Sequence, residues 1–401
     1  MSLNETASGD RIHIGFFGLR NAGKSSLVNA VTSQQLSVVS SVKGTTTDAV
    51  RKSMELLPLG PVVIIDTPGL DDSGELGEKR VKAAAQILQT CDIAVLVTVC
   101  GEKRDPKEEE LISLFQKRNI PWLLVKNKKD LCPDGPDSED DHSIRVSALT
   151  GEGIQELKEK LSRLSPSKKE GLLLADLMKE GDAVVLVTPI DASAPKNRMI
   201  LPQQMMIREV LDHNGIAMVT KETQLAQTLE NLHRSGVKPA VVVTDSQVFG
   251  LVKEIVPREI PLTSFSILMA RYKGFLTEAV KGARVIDDLP ENAGILISEG
   301  CTHHRQCEDI GTVKLPALLS RYTGRKFSLS WSSGREFPED PGKYDLVIHC
   351  GGCMLNAAEM QHRMQFAIEN GIPFTNYGIA IAHMNGILER STEMIPEIQI
   401  S

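Results

Sequence analysis

The segment Gly18–Ser25, read Gly-Leu-Arg-Asn-Ala-Gly-Lys-Ser, has the composition and spacing of a phosphate-binding loop. Its glycines would let backbone amides wrap around phosphate oxygens, Lys24 would neutralise the β- and γ-phosphates, and the Ser25 hydroxyl would bind Mg²⁺. An ordinary glycine-rich turn with an exposed lysine is the alternative, and the strand and helix patterns on either side disfavour it. The residues predicted to contact the nucleotide phosphates are Gly18, Asn21, Ala22, Gly23, Lys24, Ser25 and Ser26.

Residues for hydrolysis are predicted around the γ-phosphate. Asp66-Thr-Pro-Gly69 follows a strand pattern and supplies an acidic group beside Mg²⁺ and a glycine amide for the γ-phosphate. The loop Gly44–Asp48 lies where a first switch is expected, and Thr46 there would reach Mg²⁺ and the γ-phosphate, unless it is simply a Ser/Thr-rich loop. The predicted catalytic set is therefore Lys24, Thr46, Asp66 and Gly69, with Ser25 and Thr46 on Mg²⁺.

The base is predicted to be guanine. Asn127, Lys128 and Asp130 follow another strand pattern, and Asp130 can accept hydrogen bonds from the N1–H and the N2 amino group of guanine. Adenine lacks this donor pair, and a buried carboxylate without donors is costly, so the motif selects GTP over ATP. Ser147 and Ala148 would offer backbone amides to the guanine carbonyl. The order and spacing of these motifs resemble those of the small-GTPase G domain.

Leu70 stands where Ras-like enzymes carry a glutamine that orients the attacking water. The loop Gly44–Asp48 resembles the G-T-T-R-D switch of bacterial GTPases related to tRNA-modification and ribosome-assembly enzymes, although Thr47 replaces the arginine. Members of that class with asparagine in the middle of the phosphate-binding loop recruit K⁺, and Asn21 fits that position. The resemblance implies slow hydrolysis stimulated by K⁺; a loop-capping amide is the alternative for Asn21.

A second group of residues suits metal chemistry. Cys301 and Cys350 each follow a strand pattern, and the carboxyl ends of parallel strands meet at one edge of a sheet. The glycines between Cys350 and Cys353 would let both sulfurs face one centre. An iron–sulfur cluster, a zinc site, a redox dithiol and simple packing all stay open on chemistry alone. The window contains Cys301, His303, His304, Cys307, His349, Cys350 and Cys353.

Alternating strand and helix patterns predict an α/β chain of three domains. A flexible tail at 1–10 precedes a GTPase domain at 11–165, which has a mostly parallel sheet with helices on both faces. A small α/β domain at 166–260 and a further α/β domain at 261–401 follow, and Ser165–Gly171 between the first two domains has the composition of a linker. One helix is expected over Ser264–Lys281.

Composition narrows the function classes. The net charge of −7 gives no general attraction to nucleic acid, and aromatic residues, at 4%, are too few for base-stacking platforms. We find neither a signal-peptide pattern nor a run of about 18 apolar residues, which predicts a cytoplasmic protein without membrane contact.

The pattern C-x-H, 45 residues, H-C-x-x-C downstream of a G domain resembles the FeFe-hydrogenase maturation GTPases. The resemblance extends along the chain through Ala194–Pro202, Val242–Gln247 and Pro261–Ser266. It implies that 166–260 is a dimerisation domain, so that a homodimer is expected, and that 261–401 binds a 4Fe–4S cluster. The residues that the resemblance assigns to the cluster are Cys301, Cys350 and Cys353. It implies a fourth iron site that is labile or held by a variable ligand, for which His303 and His349 are the candidates. Cys307 lies outside the pattern, and we interpret it as a nearby packing thiol.

The function that this resemblance implies is that of a scaffold and carrier. Two radical-SAM maturases would supply a transient diiron subcluster, which the protein would deliver to apo FeFe-hydrogenase. The alternative is a GTPase related to tRNA or ribosome function with a structural zinc appendix. That alternative predicts a basic RNA-binding module after the G domain, and the acidic net charge disfavours it.

Overall fold

The computed structural model describes residues 8–33, 50–69, 84, 86–132, 141–165, 172–190, 199–300, 310–334, 337–338, 340 and 342–399. The chain forms two compact units, Met1–Lys169 and Glu170–Ser401. Within these ranges, the first unit contains a six-stranded sheet, and the second contains two four-stranded sheets. In the described part of the chain, no helix has the length and apolar character needed to cross a bilayer.

The sheet of the first unit has the strand order β2-β3-β1-β4-β5-β6, and every neighbouring pair is parallel except β2 with β3. Apolar cores cover both of its faces, as the alternation of strands and helices predicts. Its strands are β1 (Ile12–Phe17), β2 (Val50–Leu56), β3 (Gly60–Asp66), β4 (Ile93–Val99), β5 (Trp122–Asn127) and β6 (Ser143–Arg145). Its helices are α1 (Lys24–Thr32), α2 (Pro106–Lys117) and α3 (Ile154–Leu164).

The sequence patterns predict the central strands of this sheet and miss its two edges. β2 is half-exposed and carries Arg51, Lys52 and Ser53, so it lacks the continuous apolar run of a buried strand. β6 has only three residues, too few for a periodicity. The sequence pattern predicts a helix over Leu76–Thr90. Residues 86–88 of this range are helical, and most of the rest lies outside the described residues.

The second unit has two fully parallel sheets, β10-β9-β7-β8 and β12-β11-β13-β14. Their strands are β7 (Ala183–Val187), β8 (Ile216–Thr220), β9 (Val241–Thr244), β10 (Leu262–Ser264), β11 (Gly294–Glu299), β12 (Ser328–Ser333), β13 (Leu346–His349) and β14 (Phe374–Asn376). The helices are α4 (Leu201–Asp212), α5 (Leu225–Arg234), α6 (Phe249–Ile255), α7 (Phe265–Tyr272), α8 (Leu276–Arg284), α9 (Leu315–Thr323), α10 (Ala357–Glu369), α11 (Tyr377–Met384), α12 (Leu388–Thr392) and α13 (Pro396–Gln399).

One apolar cluster joins the two sheets of this unit, since residues such as Val184 of β7 and Ile295 of β11 belong to it together. The expectation of one helix over Ser264–Lys281 is wrong. The chain leaves α7 at Lys273 and passes Gly274, whose φ of +75° is left-handed, before α8 begins. β10 pairs with β9, so this sheet includes Leu262–Ser264, which follow the domain boundary predicted at residue 260.

Candidate nucleotide and metal sites

The phosphate-binding loop connects β1 to α1, as its sequence context predicts. Gly23 occupies the position before α1 with a left-handed φ of +87°, and Lys24 begins the helix. The Lys24 ammonium group lies across the loop and donates hydrogen bonds to the carbonyl oxygens of Gly18 at 3.0 Å and Leu19 at 2.7 Å. Asn21 is exposed and also left-handed, at φ +60°. The loop therefore encloses the lysine head group where phosphate oxygens are expected.

Asp66 ends β3 beside this loop. The Ser25 hydroxyl donates to Asp66 Oδ2 at 2.6 Å, and Asp66 is only 5% exposed. Its second oxygen, Oδ1, is buried and has no hydrogen-bond partner among the described residues. A buried carboxylate oxygen next to a hydroxyl is the donor set that Mg²⁺ and its waters prefer, so these residues fit the ion.

Asn127, at the end of β5, links the phosphate-binding loop to the segment expected to contact guanine. Its side-chain NH₂ donates to the Ala22 carbonyl at 3.0 Å, and its side-chain oxygen accepts from the Ala148 amide at 3.1 Å. A Cβ at Gly23 would lie 2.3 Å from Asn127 Nδ2, so only glycine allows this approach. Asn127 is 2% exposed, and it acts here as a bridge between two loops.

Two further guanine-motif residues lie together. Ser147 Oγ donates to Asp130 Oδ1 at 2.5 Å and accepts from the Thr150 amide at 3.1 Å. These bonds orient the carboxylate on the loop after β5, where Lys128 has a left-handed φ of +63°. The structure thus groups Asn127, Asp130, Ser147 and Ala148 around one end of the sheet.

Gly69 contacts the phosphate-binding loop, since a Cβ there would lie 3.0 Å from Arg20 Cα. Ser26 lies in the first turn of α1. Thr46, Thr47 and Leu70, on which the switch predictions depend, lie outside the described residues.

Cys350 follows β13 directly, and its sulfur accepts two backbone hydrogen bonds. The amide of Gly300 lies 3.1 Å from the sulfur and the amide of Gly352 lies 3.3 Å from it. Burial raises the pKa of the Cys350 thiol, while these two amides act in the opposite direction. Amides directed at a cysteine sulfur are also what stabilises a thiolate bound to iron, so this loop fits the proposed cluster.

The strand pairing brings the two cysteine segments together. β11 and β13 are parallel neighbours, with Ser298 opposite His349, and Gly300 immediately precedes Cys301 in the sequence. Cys301 itself, with His303, His304 and Cys307, lies outside the described residues. No three His, Cys, Asp or Glu side chains gather into a metal-binding group within the ranges that the structure describes.

His349 is completely buried at the end of β13. Its Nδ1 lies 2.7 Å from the Cys350 carbonyl oxygen, and its Nε2 lies 3.0 Å from Arg363 Nη1. Since a guanidinium only donates, Nε2 accepts and Nδ1 carries the proton. Burial, followed by the charge of Arg363, lowers the pKa of His349 to about 3. As a cluster ligand, this histidine would have to give up one of these bonds.

The residues that surround this loop carry no sequence signal of their own. Arg363 lies 2% exposed on α10 and pairs with Glu359 at 2.7 Å, yet a glutamate and an arginine four residues apart usually indicate a solvated helix face. Lys273 precedes a glycine at a helix end, which is typical of an exposed lysine. It is 2% exposed instead.

Three family models match the chain. The model described as 50S ribosome-binding GTPase matches residues 13–128, the Hydrogen maturase F dimerization domain matches 173–274, and the Hydrogen maturase F tetramerization domain matches 277–394. The region predicted to bind a cluster is therefore the region that matches a tetramerization domain, a role that the sequence reasoning missed.

The curated relatives include tRNA modification GTPases called MnmE. That of Legionella pneumophila (strain Paris) is 38% identical over 214 residues, or 51% of this chain and 46% of the relative. That of Xylella fastidiosa (strain 9a5c) is 33% identical over 168 residues, or 40% of this chain and 36% of the relative. The chain thus spans less than half the length of either relative.

Solved structures with partial likeness include Era from Aquifex aeolicus bound to GDP·AlF4⁻. It is 19% identical, has a TM-score of 0.35, and covers 52% of this chain and 91% of that chain. The G domain of T. maritima FeoB is 24% identical, with a TM-score of 0.29, covering 39% of this chain and 99% of that chain.

The phosphate-binding loop and the family model over residues 13–128 define the class: this is a P-loop GTPase, and its G domain implies Mg²⁺ as the accompanying ion. Two models of one further family together cover more than half of the 401 residues. The chain belongs to the hydrogen maturase F family, with its GTPase domain followed by dimerization and tetramerization domains.

Proposed function

We propose that this chain is a GTP-hydrolysing scaffold and carrier in the maturation of FeFe-hydrogenase. It binds a 4Fe–4S cluster through Cys301, Cys350 and Cys353, and it delivers a transient diiron subcluster precursor to apo FeFe-hydrogenase. Two radical-SAM maturases supply the precursor. An incompletely coordinated cluster suits such a carrier, because its exchangeable site can bridge to incoming iron.

The observation that carries the proposal is the hydrogen bonding of Cys350. Two amides point at its sulfur, and one of them belongs to Gly300, the residue before Cys301. A thiol that only packed in a core would need no such donors, whereas a thiolate on an iron cluster is stabilised by them. Membership of the hydrogen maturase F family supports the same reading.

Anaerobic purification with iron and sulfide analysis tests the cluster. The expected protein is brown, with about four irons per chain. Cys350→Ser should lose the iron and keep GTP hydrolysis, whereas Lys24→Ala should keep the iron and lose hydrolysis. Cys132→Ser, in the GTPase unit, is the matched control and should keep its iron. A wild-type protein without iron would overturn the proposal.

We infer that the nucleotide is held as the motifs predict. Lys24, Thr46, Asp66 and Gly69 act on the γ-phosphate, and Ser25 and Thr46 bind Mg²⁺. Asn21, exposed on the phosphate-binding loop, is the proposed K⁺ ligand. At matched ionic strength, hydrolysis should be slow and faster in K⁺ than in Na⁺, and Asn21→Ala should remove the difference. Equal wild-type rates in the two salts would contradict the K⁺ site.

Similarity to MnmE favours a second candidate, a tRNA-related GTPase with a structural zinc. This candidate predicts a colourless protein that holds stoichiometric zinc and binds RNA. The metal analysis above distinguishes the two.

A homodimer is the proposed assembly, in agreement with the dimerization domain at 173–274. β8 supports it, because it is the edge strand of its sheet and exposes Ile216 and Val219.

A further inference from the structure

Lys273 is a buried lysine at the end of α7, where the region matching the dimerization domain ends. Its side chain is 2% exposed, among the most deeply buried large side chains of the described residues. Burial removes an ammonium group from water, which is costly unless acceptors replace the water. A methionine of similar length would fill the same space without that cost. The lysine head group therefore has a role beyond packing.

The acceptors belong to the cysteine loop. Lys273 Nζ donates to the carbonyl oxygen of Leu355 at 2.7 Å and makes a short hydrogen bond to the carbonyl oxygen of Gly352. Both carbonyls lie in the six-residue segment that begins at Cys350 and leads into α10. One buried side chain thus holds both the middle and the end of this segment.

Gly352 connects the lysine to the cysteine sulfur. Its carbonyl accepts from Lys273 while its amide donates to Cys350 Sγ at 3.3 Å. Its φ is +60°, and a Cβ there would lie 2.4 Å from Met360 Sδ, so the backbone is confined from the other side. The bond from Lys273 therefore restrains the backbone at Gly352, the residue whose amide faces the sulfur.

The end of the loop is held in the same way. The carbonyl of Leu355 accepts from Lys273. The Leu355 side chain packs against Gly300, since a Cβ at Gly300 would lie 2.8 Å from Leu355 Cδ1. Gly300 is the second amide donor to Cys350. The side chain of Gln361, in α10, donates from Nε2 to the Lys273 carbonyl at 3.1 Å. Lys273 thus contributes to the position of both N–H groups that face Cys350.

We propose that Lys273 is the positioning residue of the iron–sulfur site, clamping the loop from Cys350 to Leu355 and placing a buried positive charge against that loop. This inference rests on the cluster-carrying function proposed above. A cluster on cysteine thiolates is anionic, and a nearby cation stabilises its reduced form more than its oxidised form, because reduction adds negative charge. The lysine also ties the last helix of the dimerization region to the loop that binds the cluster.

The test compares Lys273→Met with wild type and with Lys281→Met, an exposed lysine on α8 that pairs with Glu278. After anaerobic reconstitution, Lys273→Met should show a more negative cluster midpoint potential and release iron to a chelator about tenfold faster. Lys281→Met should match wild type in both. GTP hydrolysis, in the other compact unit, should be equal in all three proteins. Potentials and release rates that equal wild type would overturn the proposal.

A second measurement uses the metal-free protein. Amide hydrogen exchange across residues 350–356, followed by mass spectrometry, should be severalfold faster in Lys273→Met than in wild type or Lys281→Met. Unchanged exchange would overturn the clamp. If wild type bound no iron, the proposed function would fail, while this measurement would still decide the clamp. Should Lys273→Met fail to fold, Lys273→Gln, which keeps a donor and loses the charge, replaces it in the potential measurement. Its midpoint potential should also be more negative than that of wild type, and an unchanged potential would overturn the proposal.

Discussion

At the scale of single residues, Asn127 and Asp130 of the predicted guanine motif make different contacts. The side-chain NH₂ group of Asn127 donates to the Ala22 carbonyl, and its side-chain oxygen accepts from the Ala148 amide. Asn127 therefore holds two loops together. The Ser147 hydroxyl donates to the carboxylate of Asp130, the group that the sequence predicts to contact the base. The two residues of one short motif thus act in different ways, and their substitutions should have different consequences.

Replacing Asp130 with asparagine should change the preferred base. The variant presents an NH₂ group where guanine offers its own N–H donors, and it would match the carbonyl of xanthine instead. Loss of hydrogen bonds to a charged acceptor should weaken GTP binding about 10- to 100-fold. Titration with fluorescent GTP and XTP measures this, with exposed Asp141→Asn as the control. Undiminished GTP affinity would show that Asp130 does not read the base.

Arg363 shows how a single buried charge depends on its partners. It contacts His349, Glu359 and the Gly334 carbonyl, and the Arg363–Glu359 pair is almost fully buried. Arg363→Met should destabilise the unit by about 3–5 kcal/mol, because Glu359 would stay buried without its cation. Urea unfolding measures this loss.

The matched control for Arg363→Met is Arg208→Met, which removes an exposed arginine paired with Asp212 four residues away. Its urea midpoint should equal that of wild type, because solvent already screens the pair. Adding Glu359→Gln to Arg363→Met should recover part of the stability. Equal midpoints for Arg363→Met and Arg208→Met would contradict this account.

At the scale of elements, the break between α7 and α8 determines where Lys273 points. The apolar periodicity alone favours a continuous helix over these residues. In such a helix, the regular helical geometry would set the direction of the Lys273 side chain. Instead, α7 ends before Gly274, and Phe275 follows as the residue immediately before α8. A Cβ at Gly274 would lie 2.9 Å from Gln361 Nε2, so it would displace the side-chain NH₂ group that donates to the Lys273 carbonyl.

Gly274→Ala should therefore cost more than an ordinary left-handed glycine. The backbone term is about 1–2 kcal/mol for any L-residue at such a φ. Gly371→Ala is the control, since Gly371 has φ +72° and no heavy atom near its missing Cβ. Thermal unfolding should show a larger fall in melting temperature for Gly274→Ala. Equal falls would mean that the Gln361 contact carries no energy.

At the scale of the whole molecule, the second unit is tied together from its first residues to its last. Arg271, in α7, is 5% exposed at its side chain and binds Asp176 at 2.6 Å and Glu397 at 2.9 Å. Asp176 lies near the start of the unit and Glu397 in its last helix. The two sheets therefore share an apolar core and, in addition, an ion-pair network that spans the unit's sequence.

The Asp176 contact should make stability depend on pH. Its hydrogen bond from Arg271 lowers the pKa of Asp176 below the ordinary value. The ionised carboxylate therefore stabilises the folded unit above the unfolded-state pKa, and this contribution is lost as pH falls through the lower folded-state pKa. Asp176→Asn should lower the urea midpoint at pH 7, and the gap to wild type should close in strong acid. Exposed Asp288→Asn is the control, and a gap that persisted in acid would contradict the linkage.

The sequence alone predicted the chemistry and most of the framework. The phosphate-binding loop, the Asp66 and Asn127 motifs and the central strands all follow from local patterns, because backbone turns and buried strands constrain short stretches of residue types. The family likewise follows from motif spacing, and the matched models agree with it. The edge strands β2 and β6 were missed, since half-exposed or very short strands carry no periodicity.

Only the tertiary structure decided what surrounds the cysteine loop. Arg363 contacts His349 from 14 residues away, and Gly300 donates to Cys350 from 50 residues away. Lys273 binds the carbonyls of Gly352 and Leu355 from 79 and 82 residues away. Their burial depends on strand order and on the turn at Gly274, which no short window encodes. The sequence predicted the positions of the cysteines. The Gly300 amide and the buried Lys273 come from distant segments, because desolvation and hydrogen bonding of this kind arise only when such segments pack together.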